Sequence, residues 1–221
     1  MLLDLYFGMQ TQNLKFGQLG NVLPSQNPIN LAENIAMVSQ MLDGRVFAGF
    51  ARGYQPRWVN VIGQQVGLSD PACGPEYEDL KRELFEEHFE IIMKAWSNDT
   101  FRHEGKHWTI PTKDIHWAAA DVAHKYGQGV DENDQVVEIG IAPPTHEKQI
   151  PDMFMPFATS ERSIRWGMER DIVPVTILTD AEVTHSQFLA GQEAAAAAGR
   201  NLKFGERMAM SREIIVADTD A

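Results

Sequence analysis

Apolar positions along this chain alternate between two spacings. Runs rich in β-branched and aromatic residues at Leu14–Leu23, Val46–Ala51, Met153–Ala158, Ile172–Leu178 and Met208–Ala217 predict strands. Between most of them a spacing near 3.6 predicts helices over Pro28–Leu42, Glu76–Trp96, Glu161–Arg170 and Asp180–Gly199. In the first helix Leu31, Ile35, Val38 and Leu42 share one stripe. In the longest, Tyr77, Leu80, Leu84, Ile91 and Ala95 keep one face apolar, and Phe85, Phe89, Ile92 and Trp96 widen it. Asn27-Pro28 opens the first helix and Asp43-Gly44-Arg45 closes it into the next strand, while Gly199 stands as a C′ glycine for the last.

Strands alternating with helices predict an α/β fold with a parallel sheet. Leu2–Met9 is a further strand candidate. With it the count reaches six, where a closed barrel of alternating units takes about eight. The segment Asn98–Ile150 breaks the rhythm with Gly105, Pro111, Gly127, Gly129, Pro143 and Pro144, and only short strand candidates such as Val136–Ile141. It is expected to be an insertion of hairpins and loops over one rim, and a loop of that length usually carries function or mobility.

With 221 residues, 43% of them hydrophobic, the chain can bury a full core as one domain, 1–221. A net charge of −12 argues against nonspecific nucleic-acid binding and against an anionic membrane surface. Much of that acidity lies between Glu76 and Glu90, most simply as a solvated helix face. The single cysteine, Cys73, rules out an intramolecular disulfide framework and fits a reducing, cytoplasmic setting. No apolar run approaches a membrane span. The start, Met1-Leu2-Leu3-Asp4, lacks the basic residues of a signal peptide.

Candidate chemistry concentrates at two strand ends. The run Phe47–Ala51 ends in Arg52-Gly53-Tyr54, so a buried strand delivers a cation and a glycine where α/β folds place ligands. Arg52 could hold an anion such as a phosphate, or could simply be a surface arginine paired with an acid. The run Met153–Ala158 ends in Thr159-Ser160-Glu161-Arg162-Ser163 and opens a helix. Ser160 is an N-cap, and first-turn amides bind anions without side-chain charge; the plain alternative is a cap alone. Glu161 and Arg162 are expected to face solvent. Phe157, Tyr54, Val22 and Asn21 stand near strand ends: Phe157 reads equally as an ordinary core aromatic, whereas Asn21 is an amide otherwise unexplained on its strand.

His103-Glu104-Gly105-Lys106-His107 matches the H-E-x-x-H zinc pattern, which works only on a helix. Its central glycine and the following Trp108-Thr109-Ile110-Pro111 predict a hairpin instead, so no metal is assigned. His88 falls on the core stripe of its helix and reads as structural. His116, His124, His146 and His185 show no ligand spacing, and Met153, Met155 and Met168 read as core filler.

The block from Lys15-Phe16-Gly17 through Val22-Leu23-Pro24, Asn27 to Glu33, Ile35-Ala36-Met37, Asp43-Gly44-Arg45 and Gly49 to Tyr54 resembles the luciferase-like flavin monooxygenases in order and spacing. The resemblance implies a (β/α)₈ TIM-barrel type of fold, here incomplete, with the insertion at about 98–150. It implies reduced FMN and dioxygen as co-reactants and a small organic substrate, with a separate flavin reductase and a homo- or hetero-dimer as partners. It also implies Arg52, Thr159, Ser160 and Ser163 as one phosphate clamp, Gly53 as a further cofactor-binding residue beside Arg52, and Tyr54 and Asn21 beside the flavin ring. Two alternatives stay open within it: a deazaflavin-dependent hydride-transfer enzyme, and a non-catalytic flavin-binding subunit. The low strand count leaves two readings, a fragment or an incomplete barrel that leans on a partner, with the fragment favoured; the family's catalytic histidine on an early strand has no match here.

Overall fold

A computed structural model describes residues 1–66, 68, 75–212 and 216. Cys73 and the later part of the strand expected over Met208–Ala217 lie outside the described residues. The chain divides into two compact units, Met1–Pro151 and Asp152–Ala221.

In the first unit, β1 (Asn21–Val22) runs parallel to β2 (Phe47–Ala51), pairing Asn21 with Phe50 and Val22 with Ala51. The strand expected over Leu14–Leu23 is shorter than its pattern. A parallel bridge joins Phe16 to Val46, then the chain turns at Leu19-Gly20 before β1 and coils into a 3₁₀ turn, Leu23–Ser25. Two glycines set this spacing. A β-carbon on Gly17 would lie 2.0 Å from Phe47 O, and one on Gly49 would lie 2.0 Å from Leu19 O. Backbone therefore approaches backbone here more closely than any side chain permits.

Helix α2 (Pro28–Met41) begins where the sequence predicts. Asn27 Oδ1 accepts the amides of Ile29 at 3.0 Å and Asn30 at 3.1 Å, and Pro28 occupies the first turn, where no amide is needed. The helix ends in two left-handed residues, Asp43 (φ 50°) and Gly44 (φ 77°). After β2 come α3 (Pro56–Ile62) and α4 (Pro75–Ser97), and α4 packs on α2. Phe50 sits at the centre of this core, with ring centroids 5.7 Å from Phe89 and 6.2 Å from Trp96. Trp96 Nε1 donates to Ala32 O at 3.2 Å.

Two expectations need correcting. Leu2–Met9 is not a strand but helix α1 (Leu2–Gly8). The run is too short for period to decide between the two states, and Asp4 in the first turn favours the helix dipole. The face from Glu76 to Glu90 is not wholly solvated, because Lys81 is buried and Glu87 is turned inward.

The segment 98–150 does fold as hairpins and loops. Strands β3 (His103–Glu104) and β4 (Thr109–Ile110) form an antiparallel hairpin, and isolated antiparallel bridges join Phe101 to Ile139, His116 to Gln135 and Val130 to Val136. The expected strand Val136–Ile141 is present only as those bridges. The segment also carries a helix the pattern did not show, α5 (Ala120–Tyr126). It is tied to α2 by Gln40 Nε2 donating to Pro144 O at 2.8 Å and by His146 N donating to Ser39 Oγ at 3.2 Å.

In the second unit, β5 (Asp152–Pro156), β6 (Val173–Thr176) and β7 (Ala209–Met210) are parallel neighbours, with Met155 opposite Pro174 and Val175 opposite Ala209. Helices α6 (Glu161–Glu169) and α7 (Ala181–Ala197) connect them and pack on each other at Gly191. A β-carbon there would come 2.7 Å from Met208 Sδ and 3.3 Å from Ile164 Cγ2. Asp180 caps α7 by accepting Val183 N at 2.9 Å, and Gly199 (φ 82°) ends it. Met153, Met155 and Met168 are buried, as expected of filler. Parallel strands separated by helices in both units give the α/β fold that the pattern predicts.

Candidate functional site

The chain leaves β2 through Arg52 and Gly53. Gly53 is left-handed (φ 78°), and a β-carbon on it would meet Val59 Cγ2 at 2.5 Å and Val22 Cγ1 at 2.6 Å. Only glycine fits both demands. Its carbonyl is held by Lys81 Nζ at 3.2 Å, and Lys81 also pairs with Glu78 Oε1 at 2.7 Å. The Arg52 guanidinium stands 3.8 Å from Glu78 Oε2. One carboxylate thus bridges two cations at the end of β2, and Tyr54 beyond it is largely exposed, with its hydroxyl accepting from Gln55 Nε2 at 3.0 Å.

Lys81 is a residue that sequence reasoning missed, although a signal existed. It lies four residues after Tyr77 and three before Leu84, on the apolar stripe itself. A lysine there must find polar partners at its tip while its stem packs. Asn21, buried at 3% exposure, donates through Nδ2 to Gly49 O at 2.9 Å and Gln18 O at 3.2 Å. The amide on this strand thus has a structural reason: it joins the backbone at Gln18, just ahead of β1, to that of β2 at Gly49. Val22, next to it, packs against the cluster of Val59, Leu68 and Leu84.

At the end of β5 the backbone turns at Phe157, which is left-handed (φ 55°) with its side chain half exposed. For a bulky aromatic residue that conformation is uncommon and marks stored strain. Ala158 returns to the core and Thr159 is exposed. Ser160 caps α6: its Oγ accepts Ser163 N at 3.3 Å and donates to Ser163 Oγ at 2.9 Å. Amides earlier in the first turn have no acceptor inside the helix, which is what makes such a terminus receptive to an anion. Glu161 and Arg162 are exposed, as expected, and Glu161 pairs with Arg165 at 2.7 Å.

The H-E-x-x-H match lies on the β3–β4 hairpin rather than on a helix. His103 is buried, with Nδ1 3.1 Å from Lys94 Nζ and Nε2 3.2 Å from Glu87 Oε1. Lys94 can only donate, so Nδ1 accepts and Nε2–H is left to donate to Glu87. The same Glu87 carboxylate accepts His107 N at 3.0 Å and Trp108 N at 2.8 Å. These contacts tie the hairpin to α4, and among the described residues no group of three or more His, Cys, Asp or Glu is placed to hold a metal ion. His88 is a satisfied core histidine, as its position on the stripe predicts. Its Nδ1 lies 2.7 Å from Leu23 O, and Trp108 Nε1 donates to its Nε2 at 2.7 Å. Burial pushes its pKa below the ordinary value of about 6.5.

Parallel strands joined by helices in each unit define the chain as an α/β protein. The model of the luciferase-like monooxygenases matches residues 5–221, and the chain belongs to that family. Its α/β fold is of that family's TIM-barrel class. It is 29% identical over 214 residues to 3,6-diketocamphane 1,6-monooxygenase of Pseudomonas putida, spanning 96% of this chain and 53% of that protein. A solved structure of the oxygenating constituent of 3,6-diketocamphane monooxygenase from Pseudomonas putida, in complex with FMN, superposes with a TM-score of 0.72. That match is 28% identical and covers 99% of this chain and 53% of the other. The coenzyme F420 dependent tetrahydromethanopterin reductase of Methanopyrus kandleri shares the fold at TM-score 0.63 and 14% identity, over 94% and 52% of the two chains. The chain therefore spans about half the length of the relatives it matches. No described helix is long and apolar enough to cross a membrane.

Proposed function

We propose that this chain belongs to an FMN-dependent monooxygenase that uses reduced FMN and dioxygen to oxygenate a small organic substrate. One observation carries the reading: a serine-capped helix opens directly from the end of β5, in a family whose solved relative holds FMN. The phosphate of FMN is a dianion, and the chemistry of this terminus fits it. Backbone amides and the helix dipole favour negative charge, while the Ser160 and Ser163 hydroxyls supply short polar contacts. In this reading Thr159, Ser160 and Ser163 receive the phosphate. Separately, Arg52, Gly53 and Tyr54 at the end of β2 are proposed as an anion contact of the first unit, where Glu78 now stands 3.8 Å from the Arg52 guanidinium.

When bound, reduced FMN supplies the electrons for activating dioxygen. What the chain contributes is grip and placement. Arg52 brings a fixed charge, and the left-handed Phe157 turns an aromatic side chain outward at the end of β5. Asn21, the residue proposed for the flavin ring, holds the backbone ahead of β1 against β2. A flavin reductase, a second chain of the same or another kind and a cytoplasmic setting belong to the same proposal.

Titration of the protein with FMN and with riboflavin, which lacks the phosphate, tests it. FMN is expected to bind at least about tenfold more tightly, the scale of one or two hydrogen bonds to a charged group. Equal affinities would remove the phosphate grip. Oxygen uptake with a reductase supplied separates an enzyme from a flavin carrier, and tighter binding of a deazaflavin than of FMN would overturn the choice of cofactor.

A further inference from the structure

Behind the Ser160 turn lies a buried polar chain drawn from three separate elements. Thr176, the last residue of β6, is 1% exposed, and Gln187 on α7 is 5% exposed. Leu178 N donates to Thr176 Oγ at 3.2 Å, Thr176 Oγ donates to Gln187 Oε1 at 3.3 Å, and Gln187 Nε2 donates to Thr159 O at 2.7 Å. The direction of every bond is forced. The Leu178 amide can only donate, so the Thr176 hydroxyl accepts there and still has its own proton to give. The Thr159 carbonyl can only accept, so the amide nitrogen of Gln187 must face it. Gln187 Oε1 is thereby left facing Thr176, whose hydroxyl must donate to it; a flipped glutamine would set Oε1 against the Thr159 carbonyl oxygen, and buried polar groups left unpaired are costly.

The consequence reaches the next peptide. A trans peptide is planar, and its C=O and N–H point in opposite directions. Pinning Thr159 O toward α7 therefore aims the N–H of the exposed Ser160 away from α7. We propose that Gln187 is a positioning residue. Held by Thr176, it sets the Thr159–Ser160 peptide so that the Ser160 amide joins the first-turn amides of α6 in receiving the cofactor's phosphate. This rests on the phosphate reading above and adds a residue that has no contact with the cofactor. Thr159, exposed at the turn, has its backbone aligned from behind rather than by its own side chain.

The test compares FMN and riboflavin by equilibrium fluorescence titration in the wild type and in Gln187→Leu, Thr176→Val and Thr176→Ser. Gln187→Leu removes the donor while keeping the bulk. It is expected to weaken FMN about tenfold and leave riboflavin within about twofold, since only FMN reads the turn. Thr176→Val removes the donor to Gln187 Oε1, which loosens the side chain behind the turn, and is expected to cost FMN about threefold, with Thr176→Ser restoring wild-type selectivity. An equal loss for both flavins would mean general loosening and would overturn the assignment, as would an unchanged FMN affinity. Should Gln187→Leu fail to fold, the Thr176→Val and Thr176→Ser pair decides the same question. If the wild type does not itself prefer FMN to riboflavin, the phosphate reading fails first and takes this inference with it.

Discussion

Trp108 donates its indole N–H to His88 Nε2 across 2.7 Å, and this bond joins the hairpin of the long insertion to the core of α4. The contact requires His88 to be neutral at Nε2, because a protonated ring has no lone pair there.

That requirement gives a pH dependence. His88 has a folded-state pKa pushed down by burial, so the unfolded chain takes up its proton first as pH falls. Its contribution to stability is complete above about 6.5, the unfolded value, and is lost as pH drops below it. Thermal midpoints are expected to fall between pH 7 and pH 5.5, with Trp108 fluorescence shifting at the same time. His88→Gln, which keeps polar atoms but does not titrate, should flatten that slope.

Glu87 is the other attachment. Its carboxylate accepts two backbone amides and the His103 ring. Glu87→Ala leaves those donors unpaired and is expected to destabilise the protein by about 2–4 kcal/mol, whereas Glu87→Gln should cost less. Hydrogen exchange at residues 103–110 should rise in both variants. A loss of stability with unchanged protection there would contradict the anchoring role.

Two left-handed glycines make a matched pair. Gly53 has φ 78° and no room, while Gly199 has φ 82° and no atom within 4 Å of its would-be β-carbon. Gly199→Ala should cost only the backbone term, about 1 kcal/mol. Gly53→Ala adds contacts at 2.5 and 2.6 Å and should cost about 3 kcal/mol or more. Comparable midpoints in urea would show that β2 ends more loosely than these distances imply.

Arg52→Ala is expected to weaken FMN binding by about 1.5–3 kcal/mol with little change for riboflavin. Glu78→Gln should act in the opposite sense. It removes the carboxylate that stands 3.8 Å from the Arg52 guanidinium and 2.7 Å from Lys81. If neither variant changes the ratio of the two affinities, Arg52 is not part of the phosphate grip.

Local signals carried most of the fold. Helix α2 was legible at both ends, since Asn27-Pro28 and Asp43-Gly44 act through atoms a few residues away. The Ser160 cap was legible for the same reason. The run Leu14–Leu23 was overextended, because the turn at Leu19-Gly20 answers to the β2 backbone about thirty residues on, which no local pattern reports. The site was read less completely. Lys81 reaches Gly53, Glu87 reaches Trp108 and Gln187 reaches Thr159 across the fold, so these roles become visible only once distant elements are brought together.

The hairpin anchor has an evolutionary corollary. A β-carbon at Gly105 would fall 2.1 Å from Glu87 Oε1 and 2.4 Å from His103 Nε2. Positions 87 and 105 are thus bound to drift together. Any descendant that acquires a side chain at the hairpin tip must first shorten or withdraw the carboxylate beneath it, and must then find another way to fasten the tip.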